Sequence, residues 1–337
     1  MSQITVEIAD RSDTELWNRI IDRSPHGSIF HTWEWLEVAE KYSMMKLYPL
    51  IGYRGTTPIA AFPFFVKKIG LFNFVFSPPP RLIMPFLGPV IIDYDNLKQN
   101  KKETIYHSFV RDSVNLINSL RPMYATIITP PNLIDARQFL WCGFKAKPIY
   151  NYFFDISMGK EYLWKRLKKA RRKNITKTAK EFEFRVGNRK DFDFVINGVF
   201  TRIQEQNIKP KLNREYLNAI RRQFSRNLQV HLVLRNGENV AGLINLTHND
   251  TVYSWLGNFK KSIKGYAPND LLLWRTIEYY VERGYTRFFE IGANTQRLLR
   301  FKSGFNPDLV LNFIFTKANP LVENCVWLIK RLEKWKS

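Results

Sequence analysis

Each half of the chain contains two β-rich runs joined by a short turn that includes glycine. Residues 47–66 read LYPLIGYRGTTPIAAFPFFV, with the turn at Gly55, and residues 230–250 read VHLVLRNGENVAGLINLTHND, with the turn at Gly237. Such runs around a glycine turn are typical of β-hairpins. The second run of each pair also carries an Ile/Val-Ala step. The same local structure is therefore predicted twice.

The elements that follow the two hairpins also agree. In the first half a helical stretch over about residues 96–120 precedes the strand YATIITP, and in the second half residues 270–283 are helical and precede the strand TRFFEIG. This common order predicts a tandem duplication of a mixed α/β domain, with domains at residues 1–157 and 158–337. The alternative is that two unrelated mixed α/β domains contain these elements in a matching order by chance.

The charge balance predicts an anionic partner. The 337 residues include 52 Lys and Arg against 30 Asp and Glu, a formal net charge of +22, which favours nucleic acid, a phosphorylated metabolite or a membrane surface. The N-terminus lacks the apolar core of a signal peptide, and five prolines interrupt the apolar stretch 70–92. Cys142 and Cys325 lie far apart, without metal-ligand spacing. We expect a cytoplasmic protein without a membrane span.

The strongest local charge lies in residues 162–180, YLWKRLKKARRKNITKTAK. Apolar and small residues at helical spacing predict an amphipathic helix here. Four of its basic residues are candidates for binding the phosphate groups of a substrate, Lys168, Lys169, Arg171 and Arg172. The alternative is a basic surface that is only solvated. Aromatic residues are not interleaved with these cations for base stacking, so we expect no DNA partner.

Four segments in order resemble one family. They are FHTWEWLEVAEKY, LWKRLKKARRKNITKTAK, GYAPNDLLLWRTIEYYVERGY and RFKSGF. Over roughly residues 28–315 the chain resembles the Fem-type peptidyltransferases and their acyltransferase relatives in the GNAT superfamily. The resemblance implies two tandem GNAT-like domains, the first degenerate and the second carrying most of the donor site. It also implies transfer of an acyl group from acyl-CoA, or of an aminoacyl group from aminoacyl-tRNA, to an amine.

Two catalytic residues are predicted. Attack of an amine on an acyl carbonyl creates an oxyanion and requires a proton acceptor. Lys302 in FKSGF matches the Fem-type F-K-x-x-F pattern, whose lysine stabilises the transferred group electrostatically, although a surface lysine beside a short helix would look the same. Glu290 in FFEIG falls where related sequences carry an acidic residue at a strand end beside the cleft. It could accept the amine proton or orient the acceptor ammonium, or be an edge carboxylate satisfied by a backbone N–H group.

The loop KKSIKGYAPND is the predicted donor-binding loop, because its N–H groups and the following helix N-terminus can hold an anion. Its candidate residues are Lys261, Lys264, Gly265, Ala267 and Asn269, the last near the expected helix cap. Gly265 and Ala267 match the end of the usual GNAT pattern, but Ser262 stands where Gln or Arg is usual, which puts a high-affinity CoA site in doubt. The alternative is an ordinary basic turn. Trp255, on the preceding strand with Tyr253, is a candidate substrate contact whose ordinary role is core packing.

Residues 321–335 carry apolar residues at helical spacing, surrounded by lysine and arginine. They predict a helix that packs on the second domain or lies on a bilayer surface beside a lipid-linked acceptor.

Two function classes remain open from the sequence. One is an N-acyltransferase or aminoacyltransferase in cell-envelope or glycoconjugate assembly. Its co-substrate would be acyl-CoA or aminoacyl-tRNA, with no metal and no tightly bound cofactor, and its amine acceptor would be lipid- or nucleotide-linked. The enzyme would lie in the cytoplasm, at the inner face of the membrane if peripheral. The other class is a non-catalytic protein that binds RNA or acidic membrane on a GNAT-like scaffold.

Overall fold

The computed structural model describes residues 4–205, 213–258, 263–292, 294 and 296–319. The strands are β1 (Ile4–Ile8), β2 (Lys46–Arg54), β3 (Thr57–Ile69), β4 (Phe72–Ser77), β5 (Val90–Ile91), β6 (Pro122–Ile128), β7 (Lys145–Asp155), β8 (Glu183–Val186), β9 (Leu228–Arg235), β10 (Glu238–His248), β11 (Thr251–Asn258), β12 (Arg287–Glu290) and β13 (Asp308–Ala318). The helices are α1 (Thr14–Arg23), α2 (Trp33–Ser43), α3 (Gln99–Ser119), α4 (Arg137–Trp141), α5 (Lys160–Arg166), α6 (Lys169–Thr178), α7 (Arg189–Glu205), α8 (Arg214–Gln223), α9 (Pro268–Val281) and α10 (Gln296–Lys302).

The chain divides into two compact units. Among the described residues, unit 1 contains residues 4–149 and 311–319, and unit 2 is Tyr150–Val310. The domains predicted from the sequence, 1–157 and 158–337, place residues 150–157 in the first domain and residues 311–318 in the second. By their contacts, residues 150–157 belong to unit 2 and residues 311–318 belong to unit 1.

Unit 1 is built on the strand order β1-β2-β3-β4-β6-β13. Its neighbouring strands are antiparallel except β4 and β6, which are parallel and are connected through α3. Helix α3 buries Phe109, Val110 and Val114 against the sheet. A Cβ atom at Gly52 of β2 would lie 2.6 Å from the Phe109 ring, so glycine is required where the helix approaches most closely.

Unit 2 repeats this arrangement with the order β8-β9-β10-β11-β12-β7. Here β11 and β12 are the parallel pair, and α9 connects them with Leu271, Leu272 and Ile277 in the core. Each unit therefore has a four-stranded antiparallel meander, a crossover helix, a parallel strand and a final antiparallel strand. The predicted tandem α/β architecture is confirmed.

The two predicted hairpins occupy equivalent places in their units, as β2–β3 and β9–β10. Asn236 and Gly237 both have positive φ, 52° and 79°, as a two-residue turn of the type I′ kind requires. Gly55 has a φ of 62° in the corresponding turn of unit 1.

The basic segment 162–180 is not one helix. Helix α5 ends at Arg166, and Leu167 and Lys168 are extended, with ψ angles of 141° and 140°, before α6 begins. The apolar spacing continues into the break because Leu163 of α5 and Leu167 in the break are both buried. Periodicity alone could not show this interruption.

No helix in the described part of the chain is long and apolar enough to cross a bilayer. The predicted C-terminal helix, with Cys325, lies outside the described residues.

Candidate functional site

Strands β11 and β12 of unit 2 are paired over only four residues. The pairing ends at Ser254 and Glu290, whereas β11 continues to Asn258. Trp255 is an extra residue between the pairs Ile244–Leu256 and Asn245–Ser254 of β10 and β11. Such a β-bulge bends its strand and increases its twist. The bulge therefore lies where β11 stops pairing with β12.

The chain after β12 is held on the side of β7. The Gly292 N–H donates to Asn151 Oδ1 (2.8 Å), and Asn294 exchanges hydrogen bonds with the backbone of Tyr150. Gly292 has a φ of 84°, which favours glycine. These contacts and the bulge keep β11 and the residues after Glu290 apart, and we call the opening between them the strand split.

The corresponding place in unit 1 is filled. There β4 stays paired with β6 up to its last residue, Ser77. Beyond it, the Leu87 N–H donates to the Ile128 carbonyl, and the Gly88 N–H donates to Ser77 Oγ. Leu87 is fully buried. The filled opening is the physical reason to describe the first domain as degenerate.

Glu290 ends β12 at the strand split and is only 4 % exposed. Its Oε1 lies 3.0 Å from Lys302 Nζ. Among the described residues its buried Oε2 has no hydrogen-bond partner. A buried carboxylate oxygen without a donor is energetically costly, and a catalytic role is one explanation for such a group.

Lys302 ends α10 and is also 4 % exposed, so the alternative of a surface lysine is wrong. Besides the Glu290 carboxylate, its ammonium donates to the carbonyls of Ile291 (2.6 Å) and Gly292 (2.9 Å). An ammonium has three N–H donors, and these three acceptors account for all of them. Lys302 thus fixes both Glu290 and the backbone that follows it. Its predicted role as a direct stabiliser of the transferred group stays a prediction, and it would require one of these bonds to break.

The predicted donor loop precedes α9, and its described part begins at Ile263. Gly265 has a φ of 83° and is exposed together with Lys264. The Ala267 N–H donates to Thr178 Oγ1 (3.0 Å) and is therefore already engaged. Lys261 lies outside the described residues.

Helix α9 begins at Pro268 after Ala267, which makes no side-chain cap. Asn269 lies inside the first turn, two residues beyond the cap position. Proline suits the first helical position, since that N–H has no intrahelical partner.

Lys177 is a candidate that the sequence reasoning missed. Its Nζ lies 4.9 Å from the centre of the Tyr266 ring, and a Cβ at Gly265 would be 3.4 Å from it. Tyr266 in turn donates a hydrogen bond to Glu181, which also accepts from Arg235. These bonds hold the pKa of the Glu181 carboxyl below its usual value. The available signal was spacing, because Lys169, Lys173 and Lys177 recur every four residues along α6 and are all exposed.

The four predicted phosphate-binding residues separate into two pairs. Lys168 and Lys169 are exposed. Arg171 donates to buried Asp270 (2.5 Å) and to two backbone carbonyls, and its guanidinium lies over the rings of Phe301 and Phe305.

Arg172 donates to the carbonyls of Lys165 (2.8 Å) and Leu167 (3.0 Å) at the end of α5. Such bonds satisfy carbonyls left free at a helix C-terminus. Arg171 and Arg172 thus have structural contacts that explain their positions, and the two lysines do not.

Trp255, the predicted substrate contact, is 7 % exposed and forms the bulge described above. Tyr253 stacks on Phe289, with ring centres 5.7 Å apart. Burial raises the pKa of the Tyr253 hydroxyl, so this tyrosine stays neutral. Core packing accounts for both side chains.

An open cavity of about 510 Å³ lies beside α10, the helix that carries Lys302. It is lined by Arg171, Gln296, Arg300 and Phe301. Three of these lie on α10, the helix that ends at Lys302.

Comparison with known proteins identifies the fold of unit 2. The family model of the acetyltransferase (GNAT) domain matches residues 164–303, which include β8 to β12 and Lys302. No curated protein sequence matches significantly. The solved structures compared with this chain are only 9–12% identical to it, so the similarity is one of fold.

Three solved structures illustrate it. The crystal structure of FemX has a TM-score of 0.69 at 11% identity, covering 95% of this chain and 99% of that one. The C-terminal domain of a putative lysylphosphatidylglycerol synthetase from Agrobacterium fabrum has a TM-score of 0.58 at 12% identity, covering 95% and 96%. A tandem GNAT protein from the clavulanic acid biosynthesis pathway has a TM-score of 0.53 at 9% identity, covering 94% and 99%. Residues 164–303 thus match an acetyltransferase (GNAT) domain, within a chain whose fold is that of tandem GNAT proteins.

Proposed function

We propose that the strand split of unit 2 is the active site of an N-acyltransferase or aminoacyltransferase in which Glu290 accepts the proton of the attacking amine. One observation carries this proposal. Glu290 is buried where β11 and β12 separate, Lys302 holds one of its carboxylate oxygens, and the other has no partner among the described residues. A carboxylate with one oxygen held by an ammonium and the other without a hydrogen-bond donor is positioned to act as a base.

The chemistry balances with this single acceptor. The amine nitrogen attacks the acyl carbonyl and forms the new C–N bond, while the C–S bond of a thioester or the C–O bond of an aminoacyl ester breaks. Glu290 Oε2 receives the amine proton, and this proton then passes to the leaving thiolate or alkoxide, which returns Glu290 to the carboxylate. No covalent intermediate on the protein is required.

We assign Lys302 a positioning role. Its three hydrogen bonds fix the carboxylate of Glu290 and the carbonyls of Ile291 and Gly292.

The exposed lysines of α6 favour a polynucleotide donor. Lys169, Lys173 and Lys177 lie on one helical face over about 12 Å, at 1.5 Å per residue, and Lys177 reaches the loop at Gly265. A single diphosphate does not need so long a row of cations, whereas a nucleic acid strand presents a phosphate at each nucleotide. Together with Ser262 at the first position of the donor loop, this row supports aminoacyl-tRNA over acyl-CoA.

Cell-envelope assembly is the setting we propose. The fold is shared with FemX and with the C-terminal domain of a putative lysylphosphatidylglycerol synthetase. The amine acceptor would accordingly be nucleotide- or lipid-linked.

The donor is tested by titrating the protein with coenzyme A and, separately, with bulk tRNA over a series of salt concentrations. The Lys169→Ala/Lys173→Ala/Lys177→Ala variant should bind tRNA more weakly and with a flatter salt dependence. A matched control, Lys98→Ala/Lys101→Ala/Lys147→Ala, removes the same charge from exposed positions in unit 1 and should bind as the wild type does. Tight binding of coenzyme A with no binding of tRNA would reverse the donor assignment.

A further inference from the structure

The turn between β3 and β4 in unit 1 exposes three large apolar side chains. Ile69 is 57%, Leu71 is 91% and Phe72 is 54% exposed. Ile69 pairs with Phe72, so Gly70 and Leu71 form a two-residue turn, and Gly70 has a φ of 57°. Such turns normally carry Asn, Asp or Gly. A leucine at the tip has no explanation in the turn geometry.

A fourth apolar side chain lies beside this turn. Met44 is 76% exposed, and Lys67 Nζ donates to its carbonyl oxygen (3.1 Å). We call Met44, Ile69, Leu71 and Phe72 the apolar tip. Large side chains exposed together in this way mark interaction surfaces.

Basic residues predominate around the apolar tip; the one acidic residue that directly precedes these segments, Glu40, accepts a hydrogen bond from the Leu47 N–H. Strand pairing brings residues 41–47, 66–73 and 120–123 to the same end of the unit 1 sheet, because Lys46 pairs with Val66 and Asn73 with Pro122. The charged residues of these three segments are Lys41, Lys46, Lys67, Lys68 and Arg121, with no acidic residue among them. Five cations therefore lie at the same end of the unit 1 sheet as the apolar tip.

We propose that the apolar tip inserts into the headgroup region of an anionic phospholipid bilayer, with the surrounding cations on lipid phosphates. Apolar residues enter the boundary of the acyl chains, and flanking lysines bind anionic headgroups. A second copy of the chain is a poor occupant, because two such tips would bring ten cations together. The proposal rests on unit 1 alone and does not depend on the chemistry of unit 2.

The test is sedimentation of the full chain with vesicles of phosphatidylglycerol mixed with phosphatidylcholine, compared with pure phosphatidylcholine. The wild type should sediment with the anionic vesicles. Leu71→Asp should weaken this binding by about tenfold or more, since the leucine side chain that enters the bilayer is lost and a charge takes its place. The thermal unfolding of the variant should match the wild type, because the side chain is exposed.

The matched control is Ile134→Asp. Ile134 is 64% exposed and follows the C-terminal end of β6, at the other end of the sheet from the tip. This variant changes the net charge equally and should bind as the wild type does. Equal vesicle binding by Leu71→Asp and Ile134→Asp would overturn the proposal, as would a wild type that does not sediment. A change in oligomeric state by light scattering, with vesicle binding unaltered, would show a protein interface instead.

A second pair of variants separates the cations from the tip. Lys46→Ala/Lys68→Ala should lower binding to the anionic vesicles by about tenfold or more, at roughly fivefold per lysine near the surface. Lys98→Ala/Lys101→Ala removes the same charge at the start of α3, which lies away from the tip. Equal losses in the two pairs would mean that net charge alone drives binding, and the proposed tip would be excluded.

Discussion

Replacing Arg171 by alanine should destabilise the protein strongly, whereas replacing Lys169 on the same helix should not. Arg171 is the partner of Asp270, which is 2 % exposed in the first turn of α9. Without Arg171, Asp270 keeps its hydrogen bond from Asn174 (3.0 Å) but loses its countercharge. Removing one partner of a buried ion pair costs about 3–5 kcal/mol.

The lower end of that range applies, because the Arg171 side chain is 20% exposed and water can reach part of the site. We expect a loss of about 3 kcal/mol, which corresponds to roughly 6–12 °C in Tm for a unit of this size. Lys169→Ala is an exposed substitution and should stay within about 0.5 kcal/mol. Thermal unfolding followed by circular dichroism measures both.

A double variant tests the physical cause. Arg171→Ala/Asp270→Asn removes the unpaired charge as well, so its loss of stability should be smaller than the sum of the two single losses. If Arg171→Ala melts within about 1 °C of Lys169→Ala, a shift well below one kcal/mol, the structural assignment of Arg171 is wrong, and this residue returns to the candidates for phosphate binding.

Three further predictions follow from other parts of unit 2. Burial lowers the pKa of His231 to about 3, below the unfolded value of about 6.5, so the unfolded state binds the extra proton and stability falls as pH drops through 6.5. Between pH 7.5 and 5 this amounts to about 2 kcal/mol; the free energy of unfolding of His231→Phe should lose that much less over the same range, and an unchanged pH slope would refute the assignment. Gly304→Ala should lower Tm, because the new Cβ would lie 2.4 Å from Arg171 Nε, and an unaltered Tm would show that Arg171 moves freely. Lys302→Met should reduce single-turnover transfer by about ten- to a thousandfold with little change in donor affinity; in a Glu290→Gln background it should have almost no further effect, and additive losses would favour direct stabilisation of the transferred group.

The sequence was sufficient for the elements that depend on local patterns. The hairpin turn at Asn236 and Gly237 follows from φ preferences, and α3 and α9 follow from apolar periodicity. Their repetition in one order predicted the tandem fold, because each unit buries its crossover helix in the same way.

The roles of the basic residues could not be obtained from the sequence. Arg171 and Lys169 have the same local context, and they differ because the side chain of Arg171, unlike that of Lys169, lies against Asp270 and Gly304, far along the chain. The sequence also did not show the break between α5 and α6, because the buried residues Leu163 and Leu167 continue the helical spacing into it. The pairing of Glu290 with Lys302 likewise depends on the turn at Gly292, which places α10 against the end of β12.

The central claim is that Glu290 accepts the amine proton at the strand split. The direct measurement is single-turnover transfer from radiolabelled aminoacyl-tRNA, and in parallel from acetyl-CoA, to a panel of amino sugars, peptides and polyamines. Glu290→Gln keeps the size of the side chain and an oxygen for Lys302, so donor binding should be unchanged while transfer falls by about a hundred- to ten-thousandfold. Transfer at the wild-type rate by Glu290→Gln would contradict the account.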